Sequence, residues 1–402
     1  MNNDQSLLRS LSLTEISFYG LGTILGAGIY VLLGAVVAES GSATPWAFLL
    51  AAIVVCFSAY SYAQMARRFP RSAGEAVYIE EGLHSRRLAT LAGYAISLGG
   101  IVSAATMARG FSGYFGVLTP WPDWLTSSLL ILVLVGVAAW GVKQSVALAI
   151  LTTLLELGGL LLAMAVSGDE LLHGGVHWEH LLPPMTITAF AGVLSGGFLA
   201  FFAFIGFEDM VNMAEEVENP ERNLPRGIAI ALVTTALLYA GTALVALETL
   251  PLEELAGSDA PLALIIEHNS DIPVSYMALI GMVAIVNGAL IQIIMVSRVL
   301  YGMASRQLAP AFLEGVHRAT RTPLQATVLT GLLVLIFALW LPITALAATT
   351  SSLILVVFTL VNLALLFLNY RQGLHSPLQL GMPATGALLC AGFLMIQLWS
   401  SQ

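Results

Sequence analysis

Long apolar windows separated by short polar loops dominate this 402-residue chain. Each window holds roughly 18 to 25 apolar residues, about the number that a helix needs to cross the hydrocarbon core of a bilayer. The windows lie at about residues 14–37, 45–66, 88–118, 126–142, 146–166, 188–214, 227–248, 275–302, 324–341, 344–369 and 378–399. The pattern predicts an all-α integral membrane protein with about eleven transmembrane helices.

The first and sixth windows differ from the others because glycines interrupt them near their middles. These glycines are Gly20, Gly22, Gly26 and Gly28 in the first window, and Gly196, Gly197 and Gly206 in the sixth. A single glycine in a membrane helix ordinarily allows close packing. Two glycine-broken helices at corresponding positions instead favour a binding cavity, because unwound backbone at that depth must line a cavity or be buried in protein.

The two broken helices are five windows apart, so the units that they begin have opposite orientations in the membrane. This arrangement is typical of secondary transporters built from inverted repeats, which bind substrate near the bilayer midplane. We expect a cytoplasmic tail at 1–13, a first five-helix repeat at 14–167, a second at 186–369, and an eleventh helix with a short external C-terminus at 370–402.

Positive charge predicts the orientation of the chain. Of the 15 Lys and Arg residues, 14 fall in every second loop or in the N-terminal tail, and Arg109 lies inside the third window. The 14 are Arg9, Arg67, Arg68, Arg71, Arg86, Arg87, Lys143, Arg222, Arg226, Arg298, Arg306, Arg318, Arg321 and Arg371. By the positive-inside rule, the N-terminus is cytoplasmic and the C-terminus is outside a cell membrane. The first twelve residues show no cleavable signal pattern.

Composition excludes other classes of protein. The chain is 58% hydrophobic and 10% charged, with a mean hydropathy of +0.87, so it is not a soluble enzyme. The net charge of −9 and the lack of a polybasic patch argue against nucleic acid as a partner. Motifs for nucleotide binding or hydrolysis are missing, and we expect no cofactor or metal. His173, His177 and His180 are interpreted as part of a solvated loop.

The broken windows predict a site for a zwitterion. An unwound stretch exposes amide N–H groups at the positive end of the following half-helix, which suit a carboxylate, and carbonyl groups that suit an ammonium. The candidate residues in the first break are Thr23, Ile24, Gly26, Ala27 and Gly28, and those in the second are Phe202, Ala203, Phe204, Ile205 and Gly206.

Four charged residues that lie away from the ends of the apolar windows are candidates for gating or proton coupling, because ionisable groups at membrane depth are costly. Glu208 and Asp209 follow the second break, where helix capping is the alternative role. Glu156 could carry a proton, bind a cation, pair with Arg109 or serve packing alone. Arg109 is expected to need a partner, and we interpret it first as a structural residue.

Several segments resemble the amino acid–polyamine–organocation transporters, in particular bacterial amino acid permeases and the core of the cationic amino acid transporters. The segments are residues 26–30 (GAGIY), 201–206 (FFAFIG) leading into 214–217 (AEEV), 219–227 (NPERNLPRG) and 297–304 (SRVLYGMA). The resemblance implies a LeuT-type fold with two inverted repeats of five helices. It also implies that the amides of Ala27 and Gly28 bind the substrate carboxylate, that carbonyls near Ile24 and Phe204 bind the α-amine, and that Phe202 occludes the site.

One position departs from the resemblance. Some proton-coupled relatives resemble this chain but carry a lysine where Glu156 stands, and that lysine replaces the sodium ion of other LeuT-type transporters. A carboxylate reverses the charge at this position.

Together these observations predict a secondary transporter that moves an amino acid by alternating access with a proton as coupling ion, working as a monomer or homodimer. Sodium coupling would call for hydroxyl groups in the eighth window, where Ser297 lies late. Transport of a polyamine or other organic amine, amino acid exchange and a non-transporting sensor remain alternatives. Asn287 and Gln292 either face the cavity or join neighbouring helices.

Overall fold

The computed structural model describes residues 11–25, 28–70, 74–140, 146–168, 182, 186–214, 217–305, 307–317, 320 and 322–400. These residues are almost entirely helical, and their one β contact is an isolated bridge between Leu11 and Val217. The helices are α1 Leu13–Leu25, α2 Gly28–Ser40, α3 Thr44–Arg68, α4 Gly74–Leu83, α5 Arg86–Leu118, α6 Asp123–Trp140, α7 Val146–Val166, α8 Ile187–Phe202, α9 Asp209–Asn212, α10 Pro220–Thr249, α11 Leu252–Ala256, α12 Pro261–Asn269, α13 Val274–Ser305, α14 Leu324–Trp340, α15 Ile343–Arg371 and α16 Pro377–Ser400.

The predicted class of an all-α integral membrane protein is confirmed. Within the described ranges, seven helical stretches are long and apolar enough to cross a membrane, and three shorter apolar helices accompany them. The seven are Gly28–Arg68, Arg86–Leu118, Asp123–Trp140, Pro220–Thr249, Val274–Ser305, Ile343–Arg371 and Pro377–Leu398, and the shorter ones are Ile150–Val166, Ile187–Phe202 and Leu324–Trp340. Each of the eleven apolar windows contains helix.

The sixth window is interrupted in the structure, whereas residues 26 and 27 of the first window lie outside the described residues. The first window contains two helices, α1 ending at Leu25 and α2 beginning at Gly28. In the sixth window α8 ends at Phe202, residues 203–208 form a tight turn, and α9 begins at Asp209. The interruption of the sixth window includes Gly206, as predicted, whereas the break at residues 26 and 27 stays a prediction.

Four of the glycines used to predict the breaks do not break a helix. Gly20 and Gly22 lie inside α1, and Gly196 and Gly197 lie inside α8. A Cβ atom added at Gly20 would lie 2.8 Å from the Met210 Cε, and one added at Gly196 would lie 2.8 Å from the Ser40 Cβ. These two glycines allow close helix packing, which is the ordinary role of glycine in a membrane bundle.

The broken helices pack against long helices of the bundle. α1 packs on α7 and α10, while α8 packs on α2 and α3. α5 packs on α13 and α15, so the longest helices support each other around the broken ones. The aromatic rings of Tyr62, Phe201, Phe207 and Phe358 meet edge to face in the interior, with ring centroids 5.2 to 5.7 Å apart.

Three helices in the loops were not predicted, because each is too short to give a clear apolar window. α4 lies between α3 and α5, and it packs closely on α15: a Cβ at Gly82 would be 2.6 Å from the Ala364 carbonyl oxygen. Arg371 of α15 donates to the Gly82 carbonyl. α11 and α12 lie in the 248–273 loop, where α11 covers α2 at Gly34.

The positive-inside rule predicts that α4 and α11 lie on opposite sides of the membrane. Cysteines introduced at exposed Glu81 and exposed Glu254, in a background without Cys56 and Cys390, should therefore react with a membrane-impermeant maleimide from opposite sides. Intact cells and inside-out vesicles provide the two sides. Labelling of both cysteines from one side would contradict the predicted orientation.

Candidate functional site

The two interrupted helices touch each other through glycine on both sides. A Cβ atom added at Gly28, the first residue of α2, would lie 2.6 Å from the Ala203 Cβ in the other interruption. A Cβ atom added at Gly206 would lie 2.8 Å from the Thr23 carbonyl carbon. Gly206 also has a φ of 125°, a conformation that residues with a side chain rarely adopt. The backbones meet here because neither glycine has a side chain.

Tyr239 of α10 joins the two interruptions. Its hydroxyl lies 2.8 Å from the Ile24 carbonyl oxygen and 3.0 Å from the Ala203 carbonyl oxygen, and it has one hydrogen to share between them. The ring is fully buried and lies edge-on to Phe204 and Phe48. This hydroxyl supplies the donor that two carbonyls lost when their helices were interrupted. Tyr239 had not been singled out from the sequence.

The turn at 203–208 uses some of its own polar groups and leaves others free. The amides of Ala203, Phe204 and Ile205 donate to carbonyls three residues earlier, at 3.0 to 3.1 Å. Among the described residues no donor is hydrogen-bonded to the Phe204 carbonyl. Phe202 and Ile205 are buried beside this turn. The carbonyl that the resemblance assigns to the substrate amine is thus available, while that of Ile24 is shared with Tyr239.

The start of α2 favours a negatively charged group, in contrast to the carbonyls of the turn. The first amides of a helix lack intrahelical acceptors, and the helix dipole makes this end favourable for an anion. Gly28 begins the helix, whereas Gly26 and Ala27 lie outside the described residues. Of the two residues whose amides are expected to bind the carboxylate, only Gly28 lies within the described residues.

Glu208 and Asp209 lie at the cytoplasmic end that charge predicts for the sixth window, and both are buried. The Glu208 Oε2 accepts a hydrogen bond from the Gly206 amide at 2.8 Å. Glu208 occupies the N-cap position of α9, yet its side chain makes no capping hydrogen bond. The carboxylate closes the turn at Gly206 and does not cap the helix after it.

Glu156 of α7 is completely buried. Neither of its carboxylate oxygens has a hydrogen bond of normal geometry to a described residue, although the Asn287 side chain of α13 lies near enough to interact with it. The Tyr30 hydroxyl donates to the Glu156 main-chain carbonyl at 2.6 Å, and the carboxylate interacts electrostatically with Tyr239. Glu156 therefore lies close to the interruptions, a proximity that the chain pattern alone does not predict.

Arg109 lies in α5, as predicted, and is half-buried. Within the described part of the chain it forms no ion pair or hydrogen bond, and Glu156 is not its partner. The next residue, Gly110, packs against Val31 of α2. The partner expected for Arg109 is absent from these residues, so the expected structural pairing is not observed.

The remaining polar candidates have different neighbours. Asn287 faces Glu156, whereas Gln292 packs near Gly100 of α5, and Ser297 donates to the Ile294 carbonyl of its own helix at 2.8 Å. His173, His177 and His180 lie outside the described residues. Among those that are described, no cluster of His, Cys, Asp or Glu is arranged to hold a metal ion.

A buried acid in α4 was missed in the sequence. Glu75 is 7% exposed, and the Tyr62 hydroxyl lies 3.4 Å from its Oε1. Burial raises the pKa of Glu75 to about 7. The signal that would have found it is the apolar face of a short helix, because Tyr78 and Ile79 follow three and four residues later and are also buried.

The contact between the interruptions predicts that Gly28→Ala is disruptive. The added methyl group would overlap Ala203, so we expect a loss of about 1–3 kcal/mol of stability and loss of function. Gly136→Ala is the matched control, because a Cβ at that helical glycine of α6 meets nothing within 4 Å. Thermal unfolding of the purified variants provides the measurement. Equal stability of the Gly28 and Gly136 variants would refute the contact.

Comparison with known proteins gives a consistent family. The family model described as "Amino acid permease" matches residues 11–401. The chain is 31% identical to "Cationic amino acid transporter 3, mitochondrial" of Arabidopsis thaliana, over 92% of this chain and 64% of the relative. It is 27% identical to "Branched-chain amino acid permease BcaP" and 26% identical to "Methylthioribose transporter", both of Bacillus subtilis, over 92% of this chain and 83% of each relative.

The chain thus spans just under two thirds of the length of the plant transporters that it matches. The segments that suggested the resemblance, including the interruptions that meet at Gly28 and Gly206, all lie inside the matched range. On this match, which extends over nearly the whole chain, the protein belongs to the amino acid permease family.

Proposed function

We propose that this protein is a secondary active transporter that moves an amino acid across a cell membrane by alternating access, coupled to protons. The observation that carries the proposal is the meeting of two interrupted helices in the interior, where backbone groups of both lie around Tyr239. Membership of the amino acid permease family supports it. The fold that this implies is the LeuT type, with inverted repeats at 14–167 and 186–369.

The substrate is held by backbone groups of both interruptions. The carboxylate lies at the amides of Ala27 and Gly28, beside Gly26, where the α2 dipole stabilises it. The α-amine is bound by the Phe204 carbonyl and by the carbonyl that Ile24 shares with Tyr239. The side chain of Phe202 closes the site, and Thr23, Ala203, Ile205 and Gly206 complete its wall.

The relatives' names do not agree on one substrate. They include cationic amino acids, branched-chain amino acids and methylthioribose, which is neither. The pairing of a helix N-terminus with free carbonyls fits the α-carboxylate and α-amine that all amino acids share. A diamine is the second candidate, because the unpaired carboxylate of Glu156 near Tyr239 would suit an additional ammonium group.

Proton coupling is supported by carboxylates that lack cationic partners. A buried carboxylate is costly unless a proton or a cation neutralises it, and no described residue forms an ion pair with Glu156 or Glu208. Sodium coupling has less support, since the Ser297 hydroxyl is bonded to its own helix. We place the N-terminus in the cytoplasm and the C-terminus outside, and the transporter works as a monomer or homodimer.

The first experiment tests the substrate class. Proteoliposomes loaded with unlabelled amino acid should take up the radiolabelled compound by counterflow, after a thermal-stabilisation screen over amino acids and amines has identified a ligand. Methyl esters and amides of that amino acid should compete poorly, because they lack the carboxylate charge. Equal competition by esters would favour the amine alternative, and binding without counterflow would favour a sensor.

The second experiment tests the coupling ion and separates the two candidate proton carriers. A pH gradient of one unit, without sodium, should drive an accumulation of up to about tenfold, because one unit corresponds to about 1.36 kcal/mol. If Glu156 is the carrier, Glu156→Gln should lose this accumulation and the dependence of uptake on pH. In that case Glu208→Gln should slow transport in both assays, since a neutral amide oxygen accepts a weaker hydrogen bond from the Gly206 amide than a carboxylate does.

Accumulation that persists in Glu156→Gln would assign the proton to another group. Uptake that requires sodium and ignores protonophores would overturn proton coupling altogether. Counterflow measured on the same vesicles reports whether each variant still binds and moves substrate.

A further inference from the structure

A second group of buried acids lies beside the site, on the side that the arginine distribution predicts to be cytoplasmic. It consists of Glu75 on α4 and the neighbouring Glu208 and Asp209 of the sixth window, and we call it the acidic triad. All three side chains are less than a tenth exposed. Glu75 interacts electrostatically with both of the other carboxylates, so they share one region of the interior.

The triad is short of hydrogen-bond donors. The Tyr62 hydroxyl is directed to Glu75, and the Gly206 amide donates to Glu208. The hydroxyl of Tyr78, which is also fully buried and interacts with both Glu75 and Tyr62, has no hydrogen-bond partner among the described residues. Three carboxylates with so few donors cannot all be ionised in a buried region, because each charge repels the others and has lost its water.

Tyrosines and other acids are the neighbours found for these three acids in the part of the chain that the structure describes. The groups that interact with Glu75 are Tyr62 of α3, Tyr78 of its own helix, and the two acids of the sixth window. α15 packs along α4, but its Arg371 binds the Gly82 carbonyl, seven residues from Glu75 and about 10 Å away along the helix. Arg86 and Arg87 begin α5 and are exposed. A proton taken up by one of the three acids would remove its charge and lower the repulsion among them.

The position of Glu75 connects the site to the outside of the bundle. Glu208 is bonded to Gly206, whose backbone touches the first interruption at Thr23. Glu75 interacts with Glu208 from a helix that is not among the membrane-spanning stretches. Glu80 and Glu81 of that helix are exposed. The acids therefore link the turn at Gly206 to a helix that also carries water-exposed residues.

We propose that Glu75 is the exit group for the transported proton: it receives the proton from the Glu208–Asp209 pair and releases it to the cytoplasm. In this step an O–H bond of a carboxyl group in the pair breaks, an O–H bond forms on the Glu75 carboxylate, and the proton then passes to water. The proposal rests on the proton coupling proposed above and adds a residue outside the membrane spans.

The titration of Glu75 suits this role. Burial raises its pKa from 4.5 to about 7, so it can take up and release a proton near the pH of a cytoplasm. The sign for stability follows from the same shift. Between about pH 4.5 and 7 the folded protein holds a proton that the unfolded chain has lost, so the stability due to protonated Glu75 decreases as pH rises through this range.

Glu75→Gln tests the proposal, with Glu81→Gln as the matched control on the same helix. In wild type and in the control, the rate of counterflow should change with cytoplasmic-side pH, and a gradient of one pH unit should drive accumulation. In Glu75→Gln the pH profile of counterflow should flatten, and accumulation should decrease by about tenfold, the whole effect of that gradient. A general folding defect would lower both assays at every pH and leave the shape of the profile unchanged.

A measurement without transport completes the test. Thermal unfolding of the purified proteins between pH 5 and 8 should show a decrease in stability in wild type and Glu81→Gln that is smaller in Glu75→Gln. Parallel stability curves, or wild-type accumulation in Glu75→Gln, would overturn the assignment of Glu75. Failure of wild type to accumulate substrate under a pH gradient would instead refute proton coupling, even if Glu75 titrates as expected.

Discussion

The close approach of two interrupted helices is the constraint on which the rest of the structure depends. Gly28 lies against Ala203 and Gly206 lies against Thr23, at distances that leave no room for a Cβ atom on either glycine. Interruption frees backbone groups that a continuous helix would pair internally, and in a membrane interior these groups need partners within the protein. Tyr239 donates to two of these carbonyls, and Glu208 accepts from the Gly206 amide. The remaining free groups form the candidate site.

The two halves of each broken helix also pack against different helices. α1 packs on α9 where Gly20 meets Met210, and α2 packs on α8 where Gly196 meets Ser40. The half before the first interruption is therefore attached to the half after the second, and the remaining two halves are attached to each other. Such pairing is compatible with the proposed alternating access, in which one part of the bundle moves against another around a fixed site.

Several buried polar groups of the bundle, including main-chain carbonyls and the Glu75 carboxylate, are contacted by tyrosine hydroxyls. Tyr239 bonds to two carbonyls, Tyr30 bonds to the main chain at Glu156, and Tyr62 is directed to Glu75. A hydroxyl donates one hydrogen and carries no net charge, so it can satisfy a carbonyl without fixing the protonation state of a nearby acid. An arginine in the same place would hold the carboxylate ionised and prevent it from accepting a proton.

Much of the architecture could be predicted from the sequence, because lipid forces long apolar windows on any helix that crosses a membrane. The eleven windows, the two interruptions and the position of Arg109 in a span follow from composition and spacing alone. Spacing did not separate Gly20, which packs inside a helix, from Gly28, which begins one, since the role of a glycine depends on what lies opposite to it.

Only the tertiary structure decided which polar groups meet. Tyr239 is 215 residues from Ile24 in the sequence and yet donates to its carbonyl. Glu75 is buried because α4 packs on α15 and lies near the acids of the sixth window. Arg109 was expected to have a partner, and none is found in the described part of the chain. The sequence determined which segments enter the membrane, through the cost of exposing polar groups to lipid. Packing between distant helices determined which carboxylates are buried together and have lost their water.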